Sequence, residues 1–108
     1  MTAAGFKQAA LSLPNTAEGS HFGCVDFRVA GKIFATLAHI KDGYGNLMLT
    51  PDQQAGLCAD LPDVFHPIPN GWGKRGATHV VLAKVKKDVL LGVLKMAWGN
   101  KAPKKPRP

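Results

Sequence analysis

Residues 20–28 bring a hydroxyl, a base, a thiol, an acid and a guanidinium into one short stretch, as Ser20, His21, Cys24, Asp26 and Arg28. A histidine held by a carboxylate can act as a general base, so His21 and Asp26 are the pair whose types could move a proton. His21 and Cys24 also have a spacing short enough for two ligands of one metal ion. Neither arrangement is completed nearby. No nucleophile stands in a catalytic context, and a structural zinc site needs four ligands where only these two are close in sequence. The expectation is therefore a protein without a catalytic set, a metal or a cofactor. In the competing reading, His21 satisfies a backbone group at a strand end and Asp26 pairs with Arg28 or a turn amide. His39, His66 and His79 fall one per segment with no shared spacing and are expected as exposed strand or loop residues.

A second candidate is "GWGKRGATHV", residues 71–80, where glycines flank Trp72 and the adjacent cations Lys74 and Arg75. The glycines match neither GxxxxGK[ST] nor GxGxxG, which argues against a nucleotide pocket. Amides of a Gly-rich turn can still cradle one phosphate, with Lys74 and Arg75 adding charge. Trp72 is expected to pack inward under the sheet edge; the alternative is that it stacks on an unpaired base. Trp98 is expected in the core.

The chain has 108 residues, with 14 Lys and Arg against 7 Asp and Glu. The excess is uneven. Residues 1–50 hold Lys7, Arg28, Lys32 and Lys41 against Glu18, Asp26 and Asp42, whereas residues 51–108 hold ten cations against four acids. Such a footprint favours a polyanionic partner, since cations on phosphates release condensed counterions; the alternative use of the charge is solubility. The longest apolar runs are a few residues, far short of the roughly 20 that cross a bilayer, and Ser12 and Pro14 interrupt any apolar leader. A cytoplasmic protein is expected, with Cys24 and Cys58 as thiols.

The elements that must position these residues follow from periodicity. Phe6, Ala9, Ala10 and Leu13 share a helical face over 2–13, and Pro14 ends that helix. Alternation predicts strands over 25–29 and 33–37 joined by the Ala30-Gly31 turn, and a third strand near 45–49. Thr50-Pro51-Asp52-Gln53 is a capping box with proline at the first helical position. An extended segment at 64–68 is broken by Pro67 and Pro69, a last strand spans 78–83, and a closing helix covers 87–98. Residues 1–100 are expected as one domain, followed by a disordered basic, Pro-rich tail, 101–108, carrying Lys104, Lys105 and Arg107. The order, a helix, three or four strands, a helix, two strands and a helix, predicts an α+β two-layer sandwich, an antiparallel sheet with helices on one face.

"LSLPNTAEGSHFGCVDFRVAGKIFATL" (11–37), "LTPDQQAGL" (49–57), "GWGKRGATHVVLA" (71–83) and "AWGNKAPK" together resemble the MmcQ/YjbR family. The resemblance implies the order α-β(3)-α-β(2)-α, with the outline of secretion-chaperone-like and frataxin-like sandwiches. It also implies DNA binding, by analogy of the strand-connecting loops to paired wings. One departure is Cys24-Val25, where relatives more often carry His or Arg followed by Pro. The expected function is a non-enzymatic module binding DNA or another polyanion with low sequence selectivity, as a monomer or weak homodimer. Its contacts would be Lys74, Arg75, Arg28, Lys32, Lys104, Lys105 and Arg107, with His21, Asp26 and Trp72 as a possible ligand or stacking site. The runner-up is a protein-interaction or chaperone-like module, and a third reading is a small-ligand-binding domain or an enzyme using His21, Asp26 and Arg28 near Trp72.

Overall fold

The structure, a computed structural model, describes residues 1–103; Lys104, Lys105 and Arg107 lie outside the described residues. The chain runs α1 (Ala3–Leu11), β1 (Thr16–His21), β2 (Cys24–Val29), β3 (Lys32–Thr36), β4 (Tyr44–Met48), α2 (Pro51–Asp60), β5 (Phe65–Pro67), α3 (Gly71–Lys74), β6 (Ala77–Val81) and α4 (Lys87–Lys101), with a single 3-10 turn at Ile40–Asp42. The strands form one antiparallel sheet in the order β1-β2-β3-β4-β6-β5. The fold is the α+β two-layer sandwich expected from the sequence.

Alternation on the strands assigns the faces. Phe27, Ala35, Leu47 and Val80 turn toward α1 and α4 and are buried with Phe6, Leu90, Val93, Leu94 and Ala97. Phe6 of α1 sits so tightly over β4 that a Cβ at Gly45 would overlap its ring. Four strands precede α2. The extra one, β1, is an exposed edge strand held to α1 by the Lys7–Glu18 pair at 2.7 Å. Between β2 and β3 the register shifts by one at Phe27/Arg28, a bulge that leaves Phe34 without a partner across the ladder while burying it fully.

The capping box forms as expected. Thr50 Oγ1 accepts from the Gln53 amide at 3.2 Å, and Gln53 Oε1 accepts from the Thr50 amide at 3.0 Å. Gln53 Oε1 also accepts from Asn100 Nδ2 at 2.7 Å, and the same nitrogen donates to the Met48 carbonyl at 3.2 Å. The start of α2 thereby fixes the end of α4. Helix α4 continues three residues past Trp98, so Lys101 belongs to the fold and not to the tail. Thr50→Ala should lower stability by about 1 kcal/mol, the usual worth of an N-cap side chain. Urea unfolding checks the magnitude, and amide exchange at Asn100 should rise with it if the cap also holds α4.

Candidate functional site

The β1–β2 hairpin folds His21 back over Asp26, and the sequence cluster converges. Gly19 stands opposite Asp26 and His21 opposite Cys24, so His21, Asp26 and Arg28 project from one face. Asp26 is fully buried. Its Oδ1 accepts from Arg28 Nε at 2.7 Å, and its Oδ2 accepts from His21 Nδ1 at 2.6 Å and from Arg28 Nη2 at 3.1 Å. Gly19 leaves the space that the Arg28 guanidinium occupies, which a Cβ would intrude upon. Hydrogen bonds from Arg28 hold the Asp26 carboxyl below the usual carboxylate range despite its burial, and His21 adds to them; Asp26 in turn raises Arg28. Arg28 also reaches the Ser20 carbonyl at 3.5 Å. The guanidinium is thus engaged within its own hairpin.

The three remaining histidines are not scattered. Register sets Gly19, Asp26, Thr36, Asn46, His79 and His66 side by side on successive strands, a polar row across the face turned away from α1 and α4. Asn46 is the centre of the row. Its Nδ2 donates to Thr36 Oγ1 at 3.0 Å and to His39 Nδ1 at 2.8 Å, and its Oδ1 accepts from His79 Nδ1 at 2.8 Å. With both amide groups engaged, His39 carries its proton on Nε2 and His79 on Nδ1. Tyr44 stacks on His79 with centroids 4.2 Å apart, and His39 meets the same ring edge-on at 4.9 Å. The expectation of exposed histidines fails most clearly at His79, which is buried. Burial, with His39 and His66 nearby, pushes its pKa down to about 4. Among the described residues no group of three or more His, Cys, Asp or Glu is placed to hold a metal ion. Burial pushes the Cys58 thiol up, and it packs against the core.

The Gly-rich segment is a helical turn, α3, where a plain loop was expected. Trp72 is the larger correction: the residue is 48% exposed and does not pack inward. It lines a cleft of about 200 Å³ with Met48, Leu49, Arg75, Ala77 and Lys101. The glycines here serve packing. A Cβ at Gly73 would overlap the Ile68 carbonyl, and Gly76, at φ 110°, would bring one onto the Leu49 backbone.

The two ends of the sheet differ in charge. One end collects the β2–β3 turn, the last residue of β4, the first of β6 and the last of β5. Lys32, Lys74, Arg75 and Lys101 gather there, with Asp52 in the first turn of α2. The opposite end mixes Lys41, Lys84, Lys86 and Lys87 with Asp42, Asp60, Asp63 and Asp88. Helix α4 spans the distance between them, about 22 Å for its length, so its first lysines do not reinforce Lys74 and Arg75. Among the described residues the ion pairs are Lys7–Glu18, His21–Asp26 and Arg28–Asp26, which leaves the four cations of the basic end without a carboxylate partner.

A six-stranded antiparallel sheet with two helices across one face and a pinned cationic cleft at one end defines a small α+β sandwich domain. The YjbR family model matches residues 11–100, and the chain belongs to the YjbR family. The crystal structure of Deinococcus radiodurans protein DR2400, a DUF419 domain, is similar in fold, with a TM-score of 0.73 at 20% identity over 90% of this chain and 75% of that one. No curated protein matches the chain significantly. Among the described residues no helix is long and apolar enough to cross a membrane.

Proposed function

We propose that the protein binds DNA through the phosphate backbone, with little sequence selectivity, at the basic end of the sheet. The observation that carries this reading is the segregation of charge: Lys32, Lys74, Arg75 and Lys101 come from three separate elements to one end, where Asp52 is the nearby acid. Lys101 is also the point from which the chain continues toward Lys104, Lys105 and Arg107 in sequence. Cations held without carboxylate partners are available to phosphates, and each phosphate contact adds to the salt dependence of binding. Arg28 is secondary in this reading, because its Nε and Nη2 serve Asp26 and Ser20. Among the described residues no helix carries a pattern of Arg or Asn suited to base edges in a major groove, in keeping with weak selectivity. The reading is of a binding module working in the cytoplasm, where Cys24 and Cys58 stay as free thiols.

The test is binding to several unrelated duplexes over a salt series. Lys74→Glu with Arg75→Glu should weaken all of them alike, by roughly tenfold or more at low salt, and flatten the slope of log affinity against log salt by about 2. Affinity unchanged in the double reversal would remove this end of the sheet as the DNA surface.

A further inference from the structure

Trp72 and Phe22 are the aromatic rings left exposed among the described residues, Phe22 on the β1–β2 turn and Trp72 beside a cleft. The backbone of the Trp72 segment is pinned by two side chains, Asn70 and Gln54. Asn70 Oδ1 accepts from the Trp72 amide at 2.9 Å, and Gln54 Nε2 donates to the Gly73 and Ala77 carbonyls, both at 2.9 Å. The absence of a side chain at Gly73 lets the turn press against Ile68, and Gly76 brings it against Leu49. A segment held this firmly could have turned its indole into the core, where area removed from water stabilises the fold. Instead Trp72 stays half-exposed and lines the cleft. Met48, Leu49 and Ala77 give that cleft an apolar lining, and Arg75 and Lys101 give it two cations from different elements. A rigid aromatic plane, an apolar recess and paired positive charge are together the chemistry that holds a flat base and its phosphate.

We infer that the cleft is a stacking site for an unpaired base of a single nucleic-acid strand, with Trp72 as the platform and Arg75 and Lys101 taking the adjoining phosphates. This rests on the reading of the basic end as a nucleic-acid surface and adds the strand state to it. In a duplex each base already has neighbours on both faces, so an indole in a recess finds a free π-face only where a strand is unpaired. The duplex therefore uses the charge of this end alone, and the single strand uses the charge and the indole.

The experiment titrates the full chain with an oligothymidine strand and with a duplex of equal length at the same ionic strength, for the native protein, Trp72→Ala, Trp72→Phe and the Lys74→Glu, Arg75→Glu pair. Circular dichroism verifies each fold. Trp72→Ala should weaken the single strand by roughly tenfold, within the range of one lost base–aromatic stack, and leave the duplex within about twofold. Trp72→Phe should restore most of the difference. Oligothymidine should also quench tryptophan emission in the native protein but not in Trp72→Phe, because the remaining Trp98 is engaged at the Pro14 carbonyl at 2.9 Å. Equal loss on both probes, or loss on neither, overturns the stacking site. If the double reversal weakens both probes while Trp72→Ala weakens neither, the charge surface stands and the stacking site falls. If the native protein binds neither probe at low salt, both readings fall.

Discussion

Asp26→Ala should lower the free energy of unfolding by about 3 kcal/mol, and the loss should concentrate in the β1–β2 hairpin. The carboxylate is fully buried, and its two oxygens accept three hydrogen bonds from Arg28 and His21. Removing one partner of a buried ion pair costs about 3–5 kcal/mol, because the remaining charge is left without compensation. The lower end applies here. Arg28 and His21 side chains are 36% and 26% exposed, so water takes over part of their solvation once the carboxylate is gone. Asp26→Asn keeps the shape and one acceptor and should cost less than Asp26→Ala. Urea unfolding of the three proteins at neutral pH gives the ordering, and hydrogen exchange at Glu18 to Ser20 shows whether the edge strand loosens first. Stability of Asp26→Ala within about 0.5 kcal/mol of the native value would show that the trio adds nothing to folding, and its role would then have to be sought in binding.

The same residues show why some of the molecule is legible in the chain and some is not. The capping box at Thr50 and Gln53, the Ala30-Gly31 turn and the apolar face of α4 are local signals, each complete within a few residues, and each is realised. Strand β1 is different. "TAEGSH" shows no apolar alternation because it lies at the sheet edge, where neither face of the strand is deeply covered and pairing to β2 is what holds it. The polar row was invisible for a related reason. Thr36, Asn46, His66 and His79 have no common spacing, and only the register of four strands makes them neighbours. Burial of Asn46 and His79 is tolerated because each satisfies the other, a condition that one residue alone does not announce. Trp72 misled in the opposite sense. Large aromatic rings in small domains are mostly covered, and nothing in "GWGKRG" distinguishes a turn pinned by Gln54, nineteen residues before Gly73, from one that folds inward.

The polar row also gives the protein a pH dependence with a definite sign. His79 titrates near 4 in the folded chain, held down by burial and by its neighbours His39 and His66, with Asp42 acting weakly in the other direction. In the unfolded chain a histidine titrates near 6.5. Above pH 6.5 both states leave it neutral and it adds no slope. Between about 6.5 and 4 the unfolded chain binds a proton that the folded chain refuses, so stability must fall as pH falls through that window. The full difference corresponds to about 3 kcal/mol, lost progressively and complete by pH 4. Asp26 acts in a separate window. Its depressed pKa makes a contribution that is present above the ordinary carboxylate range and is lost only as pH drops further, through its folded value. Acid unfolding should accordingly begin with His79 and end with Asp26. His79→Phe separates the two, since it keeps a ring against Tyr44 but removes the titration. It loses the donor to Asn46 Oδ1, so the variant should be less stable at pH 7 by about 1–3 kcal/mol. Its slope from pH 6.5 to 4 should nevertheless be shallower than that of the native protein, and the two stabilities should converge as pH falls. Urea midpoints at half-unit steps of pH measure this directly. Parallel curves for the two proteins would mean that His79 accepts its proton without unfolding, and that the row opens to water before the sheet does.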